Sequence, residues 1–364
     1  MRVRFRFGTD ERRRRPVRAW HAERPNAFER GTLNTRETLR TTRGVFAIIP
    51  SSNFKEARRR NKRVMMNRRL FLGTGALALL ASGCRSFCTS AAPTPGASTK
   101  VPFTFGVAGY TFHRCTLDET LGYLKALDVH YLCIKDFHLP FKATAADIRT
   151  FHQKCADHGV TGYGVGPIYF KKDEARRYFD YAKAVGVKVL VAVPYEDGVV
   201  NGKKQRCASR ACCEALDALC REYDIRVAIH NHGPDIPHCF PTGDSAFEMV
   251  KDLDPRVGLC LDIGHNFRAG LDPADSIRKL HTRIFDMHVK NVAFDAKRNL
   301  ARPMPRGDMN LWSVVQALCE VGYTGCCSLE YEAFPAKGVK PGVKLGDVAE
   351  SVGYFKGLMK AAEG

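Results

Sequence analysis

From residue 101 onward the chain alternates apolar runs with amphipathic stretches, and this alternation restricts the fold more than any other feature. The runs FTFGVAGYTF, VHYLCIKDF, VTGYGVGPIYF and VKVLVAVPYE are each followed by a segment with apolar residues three and four apart, such as TLDETLGYLKALD or KKDEARRYFDYAKAVG. Unbroken Val/Ile/Leu-rich runs are the signature of strands buried on both faces, whereas the intervening spacing is helical. Gly159, Gly186, Gly322 and Gly325 stand where helices are expected to stop. Eight such units in residues 101–364 predict an α/β fold of the (β/α)8 type, a parallel sheet closed on itself and wrapped by helices. An open doubly wound sheet is the competing architecture. It wants a glycine-rich phosphate loop after the first strand, and GVAGYTFH is not one.

The last four runs, in RVAIHNHGPD, VGLCLDIGHNFRAG, RIFDMHVKNV and CCSLEYE, end abruptly at His230, Asp262, His288 and Glu330. Each of these residues can hold a metal or move a proton. In a parallel barrel the strand bodies pack and the strand ends carry the chemistry, so the pattern reads as a site.

With HNHGPD at 230–235, GLCLDIGHNFRAG at 258–270, HVKN at 288–291 and LEYE at 329–332 in that order, the chain resembles the sugar phosphate isomerase/epimerase family. These are the xylose-isomerase-like TIM barrels, which include inosose dehydratases and are similar to endonuclease IV; the resemblance covers about residues 101–364. It implies one divalent metal at the barrel mouth, held by Asp262, His288 and Glu330, with His230 or Glu196 completing the shell. Carboxylates and imidazole without thiolate suit Mn²⁺, Co²⁺, Mg²⁺ or Zn²⁺ and leave positions open for substrate. The implied reaction removes a proton beside a carbonyl through a metal-stabilised enediolate, with Glu330 as both ligand and base.

Departures from the family pattern bear on the outcome of the reaction. Many relatives carry Glu where this chain has His230, and that loss leans from two-base epimerisation towards elimination. Glu196, in VPYED, is the candidate replacement carboxylate, and His232 is a candidate to face the substrate. His265 resembles the family's histidine that either supports a metal ligand or contacts the substrate. Lys290 and Asn291 stand where relatives commonly have Lys-Asp, so Lys290 is a substrate-binding candidate and an orienting carboxylate is missing. Arg306, in the loop PMPRGD, and His113 and Lys135, near the ends of the first two strands, complete the substrate-side candidates.

The leading expectation is therefore a metal-dependent isomerase, epimerase or lyase acting on a small carbohydrate: a sugar, sugar acid, cyclitol or keto-glycoside. Two other classes compete. A non-catalytic carbohydrate-binding lipoprotein would keep the barrel without the second base. An endonuclease-IV-like phosphodiesterase would need more His and Glu ligands than these strand ends offer, so no nucleic-acid partner is expected.

Composition enters through its unevenness. Residues 1–64 carry 19 Lys and Arg against 6 Asp and Glu, so +13 of the net +19 lies in this Arg-rich segment. It reads as a disordered leader, with a phosphate-binding arm as the alternative and a start of translation at Met65 or Met66 as the preferred account. Residues 65–84, ending in the box ASGC, form an export signal of the twin-arginine kind: Arg68 and Arg69, then Leu70 and Phe71, an apolar core, and Cys84 as a candidate lipidation site. A Pro/Ser/Thr/Ala-rich linker at 85–100 precedes the catalytic domain at 101–364. The expected location is periplasmic or membrane-anchored, with membrane contact only through lipid on Cys84. The 14 cysteines show no disulfide framework and no paired Cys-x-x-Cys knuckles. Cys133, Cys260, Cys326 and Cys327 read as small hydrophobes in strands, and Cys207, Cys212, Cys213 and Cys220 as sharing one helical stretch.

Overall fold

The structure is a computed structural model that describes residues 100–294, 299–332 and 345–364. The leader, the signal and nearly all of the linker lie outside the described residues. Eight parallel strands close a barrel in the order β1 (Thr104–Ala108), β2 (Tyr131–Ile134), β3 (Thr161–Phe170), β4 (Val189–Val200), β6 (Arg226–His230), β7 (Val257–Asp262), β8 (Ile284–Val289) and β11 (Cys326–Leu329). Pairing of β1 with β11 and of β3 with β4 leaves no open edge, as expected from the alternation.

Side-chain parity along each strand separates two cores. Val227, Ile229, Leu259, Leu261, Met287, Val289, Cys327 and Leu329 pack outward into the layer beneath the helices. Cys133, Val191, Ala228 and Cys260 form a separate buried cluster in the barrel interior. His230, Asp262, His288 and Glu330 share the inward parity and continue that interior towards the mouth.

The helices are begun by side chains the sequence supplies at the right spacing. Thr116 and Glu119 make a capping box for α1 (Leu117–Ala126), and Thr144 and Asp147 do so for α2 (Ala145–Asp157). The helices α3 (Ala175–Val185), α4 (Arg210–Tyr223), α5 (Gly243–Val250), α6 (Ile263–Arg268), α7 (Pro273–Leu280), α8 (Leu311–Glu320) and α9 (Leu345–Ala362) complete the wrap. At the end of α3, Gly186 adopts φ 79°, a left-handed cap that no β-carbon obstructs. Among the described residues no helix is long and apolar enough to cross a membrane.

Two features were not expected. β4 runs beyond the barrel rim and turns back as an antiparallel hairpin with β5 (Lys203–Ala208), so Glu196 pairs across with Cys207 instead of ending a strand. Cys207 therefore sits on a strand, apart from Cys212, Cys213 and Cys220 on α4. A second hairpin, β9 (Asn291–Phe294) with β10 (Asn299–Arg302), follows β8. Every described cysteine is free.

Candidate metal centre at the barrel mouth

Adjacent strands bring the four donors together. Asp262 and His288 are register partners on β7 and β8, while Glu330 follows β11 directly and His230 closes β6. The donor atoms of His230, Asp262, His288 and Glu330 all lie within 4.8 Å of one another, and all four residues are buried. His230 Nε2 is 3.0 Å from His288 Nδ1, 3.5 Å from Asp262 Oδ2 and 3.9 Å from Glu330 Oε2, and His288 Nδ1 is 3.2 Å from Glu330 Oε2. Donors about 2.1 Å from a common cation stand roughly 3.0–3.4 Å apart, so the cluster needs little adjustment to hold one.

Asp262 is aimed by its neighbours. It caps α6, its Oδ1 accepting the His265 N–H at 2.8 Å, which turns Oδ2 towards the cluster. The Asn231 side chain bonds the Asp262 N–H at 2.8 Å and its carbonyl at 3.1 Å, and the Asn231 amide also donates to Asn266 Oδ1. Neither asparagine was singled out in the sequence. Their signal lay in their adjacency to His230 and His265, a cue that becomes legible only once the strand–helix turn is known.

Lys290 is the dominant cation. Its ammonium lies 2.8 Å from Asp262 Oδ2, 2.6 Å from Glu330 Oε2 and 2.8 Å from Glu332 Oε2, and the residue is 2 % exposed. Burial alone would lower its pKa, but Asp262, Glu330 and Glu332 hold it well above the usual lysine value. The same contacts act in reverse on the acids. Burial would raise both Asp262 and Glu330; His265 and Lys290 hold the first well below the carboxylate range, and Lys290 and His288 hold the second there. His288 is raised because Glu330 outweighs its burial, whereas burial pushes His230 down to about 4. Gly264 makes room for the lysine stem, since a β-carbon there would meet Lys290 Cγ at 2.3 Å. Glu332 was missed in the sequence although it lies inside LEYE.

The substrate-side candidates divide. His232 and His265 flank the cluster, with ring centroids 4.6 and 6.0 Å from that of His230. Tyr169 bonds His232 Nε2, and His232 Nδ1 is buried without a hydrogen-bond partner. Burial, with His230 and His265 nearby, holds His232 well below its usual pKa, so the ring is neutral. Arg268, unnoticed in the sequence, sits 3.3 Å from His265 Nδ1 and pairs with Asp235.

Four further candidates make other contacts. Glu196 is exposed on the β4–β5 hairpin, 3.9 Å from Cys212 Sγ, because the strand continues past the rim; it does not join the four donors. Arg306 is exposed and paired with Glu350 at 2.7 Å, so α9 holds its charge. His113 bonds the Tyr110 carbonyl and stacks on that ring, and Lys135 donates to the Pro167 carbonyl at 2.5 Å. Asn291 is no orphaned substitute for an acid either. It is buried, and it ties down the following loop through Met304 O, Met309 O, Val292 N and Met309 N.

Comparison with known proteins agrees with this architecture. Mannonate dehydratase of Enterococcus faecalis is 26% identical over 164 residues, 41% of this chain and 45% of that protein. The chain thus spans less than half the length of the curated relatives it matches. A D-psicose 3-epimerase of Clostridium cellulolyticum superposes with a TM-score of 0.57 at 13% identity, covering 71% of this chain and 99% of that one. A xylose isomerase-like TIM barrel protein from Mycobacterium smegmatis, solved in complex with magnesium, superposes with a TM-score of 0.54 at 18% identity, covering 74% of this chain and 100% of that one. Residues 124–351 match the family model described as xylose isomerase-like TIM barrel, and the chain belongs to that family.

Proposed function

We propose that the protein is a divalent-metal-dependent enzyme that moves a proton on a carbon next to a carbonyl in a small, non-phosphorylated carbohydrate. The products are those of an isomerase, epimerase or dehydratase. Convergence of His230, Asp262, His288 and Glu330 on one point carries this reading. The charge balance supports it: Asp262 and Glu330 bring two buried carboxylates to one point, an arrangement that needs a positive charge between them, and Lys290 already meets both. The named relatives and neighbours, a mannonate dehydratase and a psicose epimerase, act on substrates of this kind and are consistent with either outcome.

When bound, the cation supplies Lewis-acid polarisation of a carbonyl and its neighbouring hydroxyl. The chain supplies the rest. His230, Asp262, His288 and Glu330 hold the cation, and Glu330 is also the base. Lys290, released from Asp262 and Glu330, keeps Glu332 as its partner and presents an ammonium to developing negative charge. Neutral His232, anchored by Tyr169, offers Nδ1 to a substrate hydroxyl or to the second proton. His230 stands where many relatives carry Glu, and Glu196 lies on the β4–β5 hairpin outside the four donors, which favours elimination over symmetric epimerisation. Export through residues 65–84 and lipidation at Cys84 belong to this proposal and place the substrate outside the cytoplasm.

Elemental analysis and solvent-deuterium exchange test the reading together. Wild type should bind metal and exchange one carbon-bound proton in a member of a panel of keto-sugars, sugar acids, cyclitols and 3-keto-glycosides, and Asp262→Ala with His288→Ala should lose both. Full metal content in that double variant would refute the placement of the site. A second reading, carbohydrate binding without turnover, is favoured by Lys290, whose ammonium already bridges Asp262 and Glu330. Sugar binding with no exchange at any carbon would select it.

A further inference from the structure

Two residues before each donor, on the same strand and facing the same way, stands a second row: Ala228, Cys260, Asp286 and Ser328. Cys133 of β2 and Tyr163 of β3 reach this row from across the barrel. Tyr163 Oη donates to Asp286 Oδ1 at 2.9 Å and meets Ser328 Oγ at 2.5 Å. Cys260 Sγ lies 3.8 Å from Asp286 Oδ2. Cys133, Cys260 and Asp286 are each essentially inaccessible. Asp286 thus bonds a phenol and a thiol, and the basic group within reach of it is His288.

Donor atoms from Cys133, Asp286 and His288 lie within 4.8 Å of one another, as do those of His230, Cys260 and His288. His288 turns Nδ1 towards Glu330 and His230, which leaves its other nitrogen, Nε2, buried with no hydrogen-bond partner. A carboxylate and an orphaned imidazole nitrogen beside the Cys133 thiol are unusual contents for a barrel interior otherwise filled by Val191, Ala228 and Cys260. They are the right contents for a borderline-soft cation.

We propose that Cys133, Asp286 and His288 form a second, sulfur-containing metal site inside the barrel, below the first, for a divalent ion such as Zn²⁺, with Cys260 at its edge, 3.8 Å from Asp286 Oδ2. His288 bridges the two ions through its two nitrogens. Binding displaces the Cys133 thiol proton and the imidazole proton, which leave through the mouth. The upper site, with oxygen and nitrogen donors only, accepts hard ions such as Mn²⁺. The lower site, with a thiolate, discriminates against them.

The full-length protein, stripped by chelator, is titrated separately with Mn²⁺ and with Co²⁺. One equivalent of Mn²⁺ is expected, against two of Co²⁺, the second accompanied by a thiolate-to-cobalt charge-transfer band. Cys133→Ser with Cys260→Ser should abolish the band and the second equivalent while leaving Mn²⁺ binding in place. Asp286→Asn, which keeps both thiols and nearly the same volume, should weaken the second Co²⁺ by about tenfold or more and serves as the test if the double variant fails to fold. A single Co²⁺ equivalent without the band, or a second equivalent that survives the cysteine substitutions, overturns the proposal. Loss of Mn²⁺ binding with the cobalt band retained would instead refute the upper site alone.

Discussion

Lys290→Met separates the two cationic states of the site. The Lys290 ammonium contacts three carboxylates at 2.6–2.8 Å from a position 2 % exposed. Removing the cation leaves Asp262 and Glu330 buried and uncompensated, a change that costs about 3–5 kcal/mol. For a barrel of this size that corresponds to a fall in Tm on the order of 10 °C. Bound metal neutralises the same two oxygens without having to displace an ammonium, so the variant should bind Mn²⁺ more tightly than wild type. Metal at about one hundred times Kd returns roughly 2.7 kcal/mol by mass action, recovering most of the deficit. The assay is thermal unfolding of both proteins with and without Mn²⁺, alongside a binding titration. Equal stability of the metal-free proteins, or an equal metal-induced shift in both, would show that Lys290 and the metal do not compete for Asp262 and Glu330.

Glu330→Gln keeps an oxygen donor of nearly the same shape and deletes the base, so turnover should fall about a hundredfold or more while metal content falls less; unchanged deuterium exchange would move suspicion to His232. His138 is buried against the Thr120 hydroxyl, and burial lowers its pKa to about 4 from 6.5. Because its folded pKa is depressed, the unfolded chain takes up a proton first as pH falls, so stability is full above about 6.5 and is lost by up to roughly 3 kcal/mol on descending to about 4. His138→Gln should flatten urea-denaturation stability over that window, and an unchanged slope would count against the burial argument. A chain begun at Met66 should be cleaved before Cys84 and lipidated there, and mass spectrometry finding residues 1–64 intact on the mature native protein would contradict this.

The sequence by itself determined the barrel and which four residues meet at its mouth. Buried parallel strands require unbroken apolar runs, and a polar residue is tolerated only where such a run ends, so His230, Asp262, His288 and Glu330 were visible as interruptions. The same logic placed Glu196 wrongly, since an apolar run that ends and a strand that ends coincide only when no hairpin prolongs the strand. Tertiary structure alone decided which charges meet. The sequence marks Lys290 only as a substrate-binding candidate; the β8–β9 turn and the missing β-carbon at Gly264 bring its ammonium between Asp262 and Glu330, with Glu332 also in contact. Asp286 was hidden for the opposite reason. Its signal is a period of two shared by four strands that meet only on closure, and Cys133 joins the row from β2, about 150 residues from Asp286 in sequence. Local pattern can specify which residues end a strand. The field each one experiences depends on partners brought close by closure of the barrel, where burial removes the water that would otherwise screen them.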